Sequence, residues 1–266
     1  MVIEWTHSLA GALTGLVIGL TGVGGGALMA PILLLVFDIS IATVIATDLW
    51  FAALTKMAAV RIYNTHNYID WNVTKRLWIG SIPASALVIV AIATGSISKI
   101  SDSFLQKGIG ILILITSVGL LISEKIKKTE INLISPKFLQ KISSHFPWIR
   151  SVSTIVAGGI IGIIVTLTSV GAGVLGTLFL IYLYSSRMTP HNIVATDIAH
   201  AIPLALLAGM GYLICGKVNG TLLMSLLIGS VPGALLGASF APKITPYWLK
   251  VALAIIMLLA GFKLIF

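Results

Sequence analysis

Long apolar runs separated by short polar turns fill this chain. The first covers residues 8–37, too long for one simple membrane crossing, and is interrupted by Gly22-Val-Gly-Gly-Gly26. Each mid-helix glycine costs about 0.8–1 kcal/mol relative to alanine, so three in succession end a helix. Backbone left bare in lipid has no hydrogen-bond partner, so such a break lines a cavity or packs against protein. After a turn at 38–40 the pattern predicts full spans over about 41–62, 77–94 and 104–123, with a polar and aromatic loop at 63–76.

A long polar stretch follows at 124–150. It carries Lys125, Lys127, Lys128, Lys137, Lys141 and Arg150 against Glu124 and Glu130. Ser135-Pro136 reads as an N-cap and first helical residue, and Phe138, Leu139, Ile142 and Phe146 then share one helical face. A helix lying on the membrane surface fits this pattern, and so does a linker without fixed structure. Beyond it the chain repeats itself. Leu20-Thr-Gly-Val-Gly-Gly-Gly26 matches Leu167-Thr-Ser-Val-Gly-Ala-Gly173, and Ile45-Ala-Thr-Asp48 matches Val194-Ala-Thr-Asp197. Ile79-Gly-Ser-Ile-Pro-Ala84 likewise matches Ile228-Gly-Ser-Val-Pro-Gly233. Three matches in one order imply an internal duplication. The organisation expected is an N-terminal repeat over 1–123, a basic cytoplasmic linker over 124–150 and a C-terminal repeat over 151–266.

Composition fixes the class. The chain is 58% hydrophobic and 9% charged, with a mean hydropathy of +1.07, which predicts an all-α polytopic membrane protein. A β-barrel would alternate in short segments, and these runs are continuously apolar. The formal charge of +9 concentrates in loops, as orientation in a membrane requires, so it calls for no nucleic acid. One cysteine, Cys215, provides neither a disulfide framework nor a Cys/His metal cluster. The N-terminus has Glu4, Trp5 and His7 but no basic start or small-residue cleavage site, so the first apolar segment is expected to remain.

Each half contains four apolar segments, eight in all. If all four cross, the halves share one orientation; if the broken segment dips in and returns, the halves are inverted. A cytoplasmic linker makes the 63–76 loop, with Lys75 and Arg76, cytoplasmic as well. A re-entrant second hairpin then places Arg187, Lys243 and Lys250 inside and Lys217 outside, although Lys263 opposes that bias. Length agrees, since roughly 33 residues up to Phe37 form two half-helices of roughly 20 Å at 1.5 Å per residue. The expectation is therefore two inverted repeats, each a glycine-broken re-entrant hairpin followed by three transmembrane helices.

The glycine tips would each start a returning half-helix, whose free N–H groups and partial positive charge suit an anion. The candidate substrate-binding residues are Thr21, Gly22, Gly24, Gly25 and Gly26 in one tip and Thr168, Ser169, Gly171 and Gly173 in the other. Close helix packing is the alternative use of such glycines. Asp48 and Asp197 lie several residues into their spans, where a carboxylate is costly and a functional role is the default reading. Capping a glycine tip is the alternative. Lys56 stands two turns beyond Asp48 and either pairs with it or snorkels beside Arg61. His200, one turn after Asp197, titrates in the physiological range in its ordinary state. Asp48, Lys56, Asp197 and His200 are the candidates for proton coupling or gating, with Asp197 and His200 as the titrating pair.

At these residues the chain resembles the sulfite exporter TauE/SafE family of membrane transporters, over almost its whole length. The glycine-centred breaks, the Ala-Thr signatures and the duplicated halves carry the resemblance. Thr47-Asp-Leu-Trp-Phe-Ala-Ala-Leu-Thr-Lys56 and Thr196-Asp-Ile-Ala-His-Ala-Ile-Pro-Leu204 look like a particular branch of it, because the commoner family pattern has a small hydroxyl residue where Asp48 and Asp197 stand. The resemblance implies movement of sulfur-containing anions such as sulfite, sulfoacetate or thiosulfate, usually as export, across a plasma or inner membrane. The glycine tips independently point to an anion, but not to sulfur. A passive anion channel is the first alternative. An intramembrane enzyme using Asp48, Asp197 and His200 is weaker, since no nucleophile motif or metal set accompanies them, and no Gly-x-x-x-x-Gly-Lys-Ser/Thr phosphate loop is present. No catalytic residue, metal or cofactor is expected; the expected partners are a small anion, the bilayer and protons.

Overall fold

A computed structural model describes residues 5–21, 25–65, 67–95, 102–128, 147–171, 173–184, 187–241 and 247–265. Among these residues the chain is helical throughout and has no strand. The helices of the first half are α1 (Trp5–Thr21), α2 (Gly25–Leu35), α3 (Ile41–Thr65), α4 (Trp71–Ala93) and α5 (Asp102–Lys128). Those of the second half are α6 (Pro147–Thr168), α7 (Val174–Tyr184), α8 (Pro190–Ile214), α9 (Gly220–Phe240) and α10 (Tyr247–Ile265). Among the described residues, six helices are long and apolar enough to cross a membrane, namely α3, α4, α5, α6, α8 and α9. The chain is a polytopic helical membrane protein. The surface helix expected around Ser135–Phe146 lies outside the described residues, as do Gly22 and Gly24.

Local chemistry sets the helix ends. Asp70 caps α4, its Oδ1 accepting from the amides of Asn72 (3.0 Å) and Val73 (3.2 Å). Asn219 caps α9 through the amide of Leu222 (3.1 Å), and Thr189 caps α8 just before Pro190. These caps satisfy amides that a helix start leaves without partners. The break between α6 and α7 has another cause. Ser169, Gly171 and Gly173 all have positive φ, at 57°, 108° and 135°, and left-handed backbone cannot continue a right-handed helix.

Small residues set the packing. Gly11, Gly15 and Gly19 of α1 press on the α9 backbone at Leu226, Ser230 and Ala234, leaving no room for a side chain. Gly158 and Gly162 of α6 press in the same way on Leu77 and Ser81 of α4. Without a hydrophobic drive between helices in lipid, such close approach is a main source of association. In both contacts residue numbers rise together, so α1 runs parallel to α9, and α6 to α4. The α3–α9 contact also rises together: Thr47 meets Asn219 and Thr55 meets Ser230. So does the α4–α8 contact, in which Asp70 meets Thr196, Ser81 meets His200 and Ile89 meets Gly211. The central pair differs. Gly209 packs on Trp50, whereas Ala59 and Tyr63 share a buried cluster with Ala195, Ile198 and Ala199, so α3 and α8 are antiparallel.

Candidate functional site

The polar interior is built on α3 and α8. Asp48 and Lys56 on α3 and His200 on α8 are fully buried, and Asp197 is 1% exposed. The expected alternative for Lys56, a side chain snorkelling to the membrane edge, does not occur. Lys56 interacts electrostatically with both Asp48 and Asp197 and with His200. Two carboxylates and one ammonium thus share one interior. Buried charges are costly unless paired and hydrogen-bonded, so such a set is a candidate functional site.

Each aspartate has one hydroxyl partner. The Ser169 hydroxyl donates to Asp48 Oδ2 at 2.6 Å, joining the second half's glycine break to the first half's central helix. The Thr177 hydroxyl donates to Asp197 Oδ2 at 3.2 Å, and Gly176 beside it makes room for that carboxylate, since a Cβ there would overlap Oδ1. Among the described residues the other oxygens, Asp48 Oδ1 and Asp197 Oδ1, have no hydrogen-bond partner, and neither has His200 Nδ1. Buried polar atoms are rarely left so, and these are the atoms of the interior with unused capacity for a proton or ligand.

His200 shares a hydrogen bond with Ser81 through Nε2 (3.0 Å). Among the described residues no hydrogen bond joins His200 to Asp197. Asp197 is hydrogen-bonded to Thr177 and His200 to Ser81, with Lys56 acting electrostatically on both. Thr21 and Thr168 are buried at the ends of α1 and α6, where their hydroxyls donate to the carbonyls of Val17 and Ile164 (2.7 Å each). Gly171 and Gly173 supply the positive-φ backbone of the second break, and Gly25 and Gly26 open α2.

Several members of the site escaped the sequence reading. Thr47 Oγ1 accepts from the amide of Asn219 (3.4 Å), and Thr196 Oγ1 accepts from the amide of Asp70 (3.0 Å). These are equivalent bonds, because 47 and 196 correspond in the repeat, as do 70 and 219. Ser81 and Ser230, equivalent in the Ile-Gly-Ser motifs, reach His200 and Thr55 on the other half's central helix (3.0 Å each). All three duplicated motifs therefore contribute side chains to one interior, and the motif serines were the signal available for finding Ser81 and Ser230.

A helical membrane protein whose central helices bury two carboxylates, a lysine and a histidine beside a broken helix has the construction of a transporter. Comparison with known proteins agrees. The profile of the sulfite exporter TauE/SafE family matches residues 8–264, and the chain belongs to that family of membrane transporters. It is 32% identical over 258 residues to the probable membrane transporter protein YjnA of Bacillus subtilis (strain 168), covering 97% of this chain and 98% of that relative. The probable membrane transporter protein YdhB of the same organism is 26% identical over 254 residues, covering 96% and 97%. No solved structure matches the chain.

Proposed function

We propose that this protein is a secondary transporter that exports small sulfur-containing anions such as sulfite, sulfoacetate or thiosulfate across the cell membrane, coupled to protons. The anion binds at the glycine tips, Thr21 with Gly22, Gly24, Gly25 and Gly26 and Thr168 with Ser169, Gly171 and Gly173, near the bilayer midplane. The observation that carries the reading is the bond from Ser169 to Asp48, which ties a helix break to a buried carboxylate with an unused oxygen. An anion beside charged aspartates is repelled, so it is accepted when Asp48 is paired with Lys56 and Asp197 holds a proton. This requirement links anion movement to proton movement.

The repeats, 1–123 and 151–266 about a cytoplasmic linker at 124–150, are inverted in this reading. Helix directions support it. Both α1 and α3 run parallel to α9, which fits a first broken segment that dips in and returns through α2. Both α6 and α8 run parallel to α4, which fits a hairpin in the second half as well. With α3 and α8 antiparallel, the two halves enter the membrane from opposite faces.

Uptake of labelled sulfite into proteoliposomes, with and without a pH gradient, tests the function. Gradient-driven accumulation is expected. Flux that only follows the sulfite gradient would make the protein a passive channel, and no flux of any sulfur anion would overturn the reading.

A further inference from the structure

The two ends of the molecule differ at equivalent positions. On the face where α1 and α9 begin, His7, Phe37, Ile39, Asn219, Leu222 and Ser225 line a cavity of about 300 Å³. In the repeat, His7 corresponds to Thr154, Phe37 to Tyr184, Ile39 to Met188 and Leu222 to Val73. The first pair is in contact at both ends: the rings of His7 and Phe37 lie 4.3 Å apart, and the hydroxyls of Thr154 and Tyr184 share a 2.9 Å hydrogen bond. The surroundings are opposite. Tyr184 is fully buried in one cluster with Val73, Leu77, Leu180, Met188 and Ile193, and the Arg150 guanidinium lies 5.4 Å from its ring centre. Where the first half leaves a cavity, the second half places a tyrosine.

The helix ends explain how one sequence pattern makes both states. Tyr184 is the last residue of α7, whereas α2 stops at Leu35, two residues before Phe37. Asp38, with φ of 50°, then turns the chain away. An extra half-turn of helix carries the aromatic ring inward; its loss leaves the ring at the rim.

We propose that Tyr184 is the closed gate of the face bearing the 124–150 linker, and that the cavity beside Phe37 is the open mouth of the opposite face. The proposal rests on the inverted-repeat transporter reading above. Opening the linker face then means that Tyr184 leaves its cluster as the last turn of α7 unwinds. Closing the other face means that α2 gains the turn it lacks and Phe37 moves into the cavity. Transport is the exchange of these two end states between the halves, since a transporter open at both ends would dissipate its gradient.

Cysteine labelling with an impermeant thiol reagent tests this in sealed vesicles of both orientations, in a background lacking Cys215. Lys217→Cys and Arg187→Cys report the two faces. Leu222→Cys is expected to react from the Lys217 face. Val73→Cys, its counterpart, is expected to react at least about tenfold more slowly from the Arg187 face, as befits a minor open population. Adding Tyr184→Ala should raise the Val73→Cys rate to that of Leu222→Cys. If Tyr184→Ala does not reach the membrane, Thr154→Val, which removes only the hydroxyl bond, takes its place with the same expected direction. Equal reactivity at Leu222→Cys and Val73→Cys in the otherwise unaltered protein, or no response of Val73→Cys to loss of the gate, overturns the proposal. Reaction of Arg187→Cys from the outer face and of Lys217→Cys from the cytoplasmic face, the reverse of the expected pattern, overturns the inverted arrangement and the gate with it. Sulfite flux is measured separately on the same vesicles, so a wrong substrate leaves the labelling result standing.

Discussion

Helices α3 and α8 are one element present twice, and they diverge where it matters for charge. Both have 25 residues, both carry Ala-Thr-Asp at the same depth, and both use that threonine to accept from the cap of a helix in the other half. Yet Lys56 corresponds to Ala205, and His200 corresponds to Phe51. The scaffold contacts follow the duplication; the basic groups do not. The frame is symmetric and the set of charges inside it is not, and in the proposed function Lys56 serves both aspartates.

Lys56→Gln attacks that asymmetry most directly. It leaves two buried carboxylates without their cation, and removing one partner of a buried ionic set costs about 3–5 kcal/mol. Loss of transport and a clearly lower melting temperature in detergent are expected. Moving the charge, as Lys56→Ala with Ala205→Lys, sharpens the test. The swapped protein should recover part of its stability but not transport, because Phe51 then stands where the mirrored site would need an imidazole. Recovered transport would mean that the two central helices are interchangeable after all.

The next effect separates two kinds of glycine. Gly162 sits against the backbone of Ser81, while Gly173 has a φ of 135° in the helix break. Gly162→Leu should force α4 and α6 apart and reduce the amount of folded protein in the membrane. Gly173→Leu strains the backbone by about 1–3 kcal/mol, and is expected to leave the protein inserted while abolishing transport. Quantifying both by membrane yield and flux checks the distinction; normal flux in Gly173→Leu would make the tip glycines packing residues like Gly162.

Much of this architecture was legible because membrane helices have few ways to be built. The span expected at 41–62 is helical over 41–65, and that at 104–123 over 102–128, as apolar length dictates. The span expected at 77–94 begins six residues earlier, at Trp71, because Asp70 caps a helix whose first six residues include the polar Asn72, Thr74, Lys75 and Arg76. The small-residue seam was not picked out, although Gly11, Gly15 and Gly19 recur every four residues, a spacing that in lipid accompanies close helix contact. Partners across the repeat were another matter. Nothing in the spacing says that Ser169 meets Asp48 of the other half, or that Ser81 rather than Asp197 takes the His200 ring, since those contacts depend on how the halves interlock.

A subtler effect divides the two aspartates. Among the described residues each has a buried oxygen without a partner, and Asp197 also lies against α7 of its own half, at Gly176 and Thr177. Asp197→Asn is expected to preserve exchange of anion between equal concentrations and to remove the response to an imposed pH gradient. Asp48→Asn is expected to impair exchange itself, because Asp48 holds the second tip. A full pH response in Asp197→Asn would leave that residue as a structural partner of Thr177.

The smallest effect concerns the hydroxyl that only one half possesses. Gly22 stands in the first half where Ser169 stands in the second, so the tip-to-aspartate bond through Ser169 has no side-chain equivalent across the repeat. Ser169→Ala removes the 2.6 Å donor and leaves Asp48 Oδ2, like Oδ1, without a hydroxyl partner. Hydrogen bonds to a charged group contribute about 1.5–3 kcal/mol, enough to weaken anion binding about tenfold or more if the tip is the site. Thr177→Val deletes the corresponding donor to Asp197, a longer bond at 3.2 Å, and should cost less. The pair is measured as the KM for sulfite in proteoliposomes, with Ser169→Thr as the variant that keeps a hydroxyl. If Thr177→Val raises KM as much as Ser169→Ala, or Ser169→Thr fails to restore it, the second tip has no privileged role and the asymmetry between the halves lies in Lys56 and His200 alone.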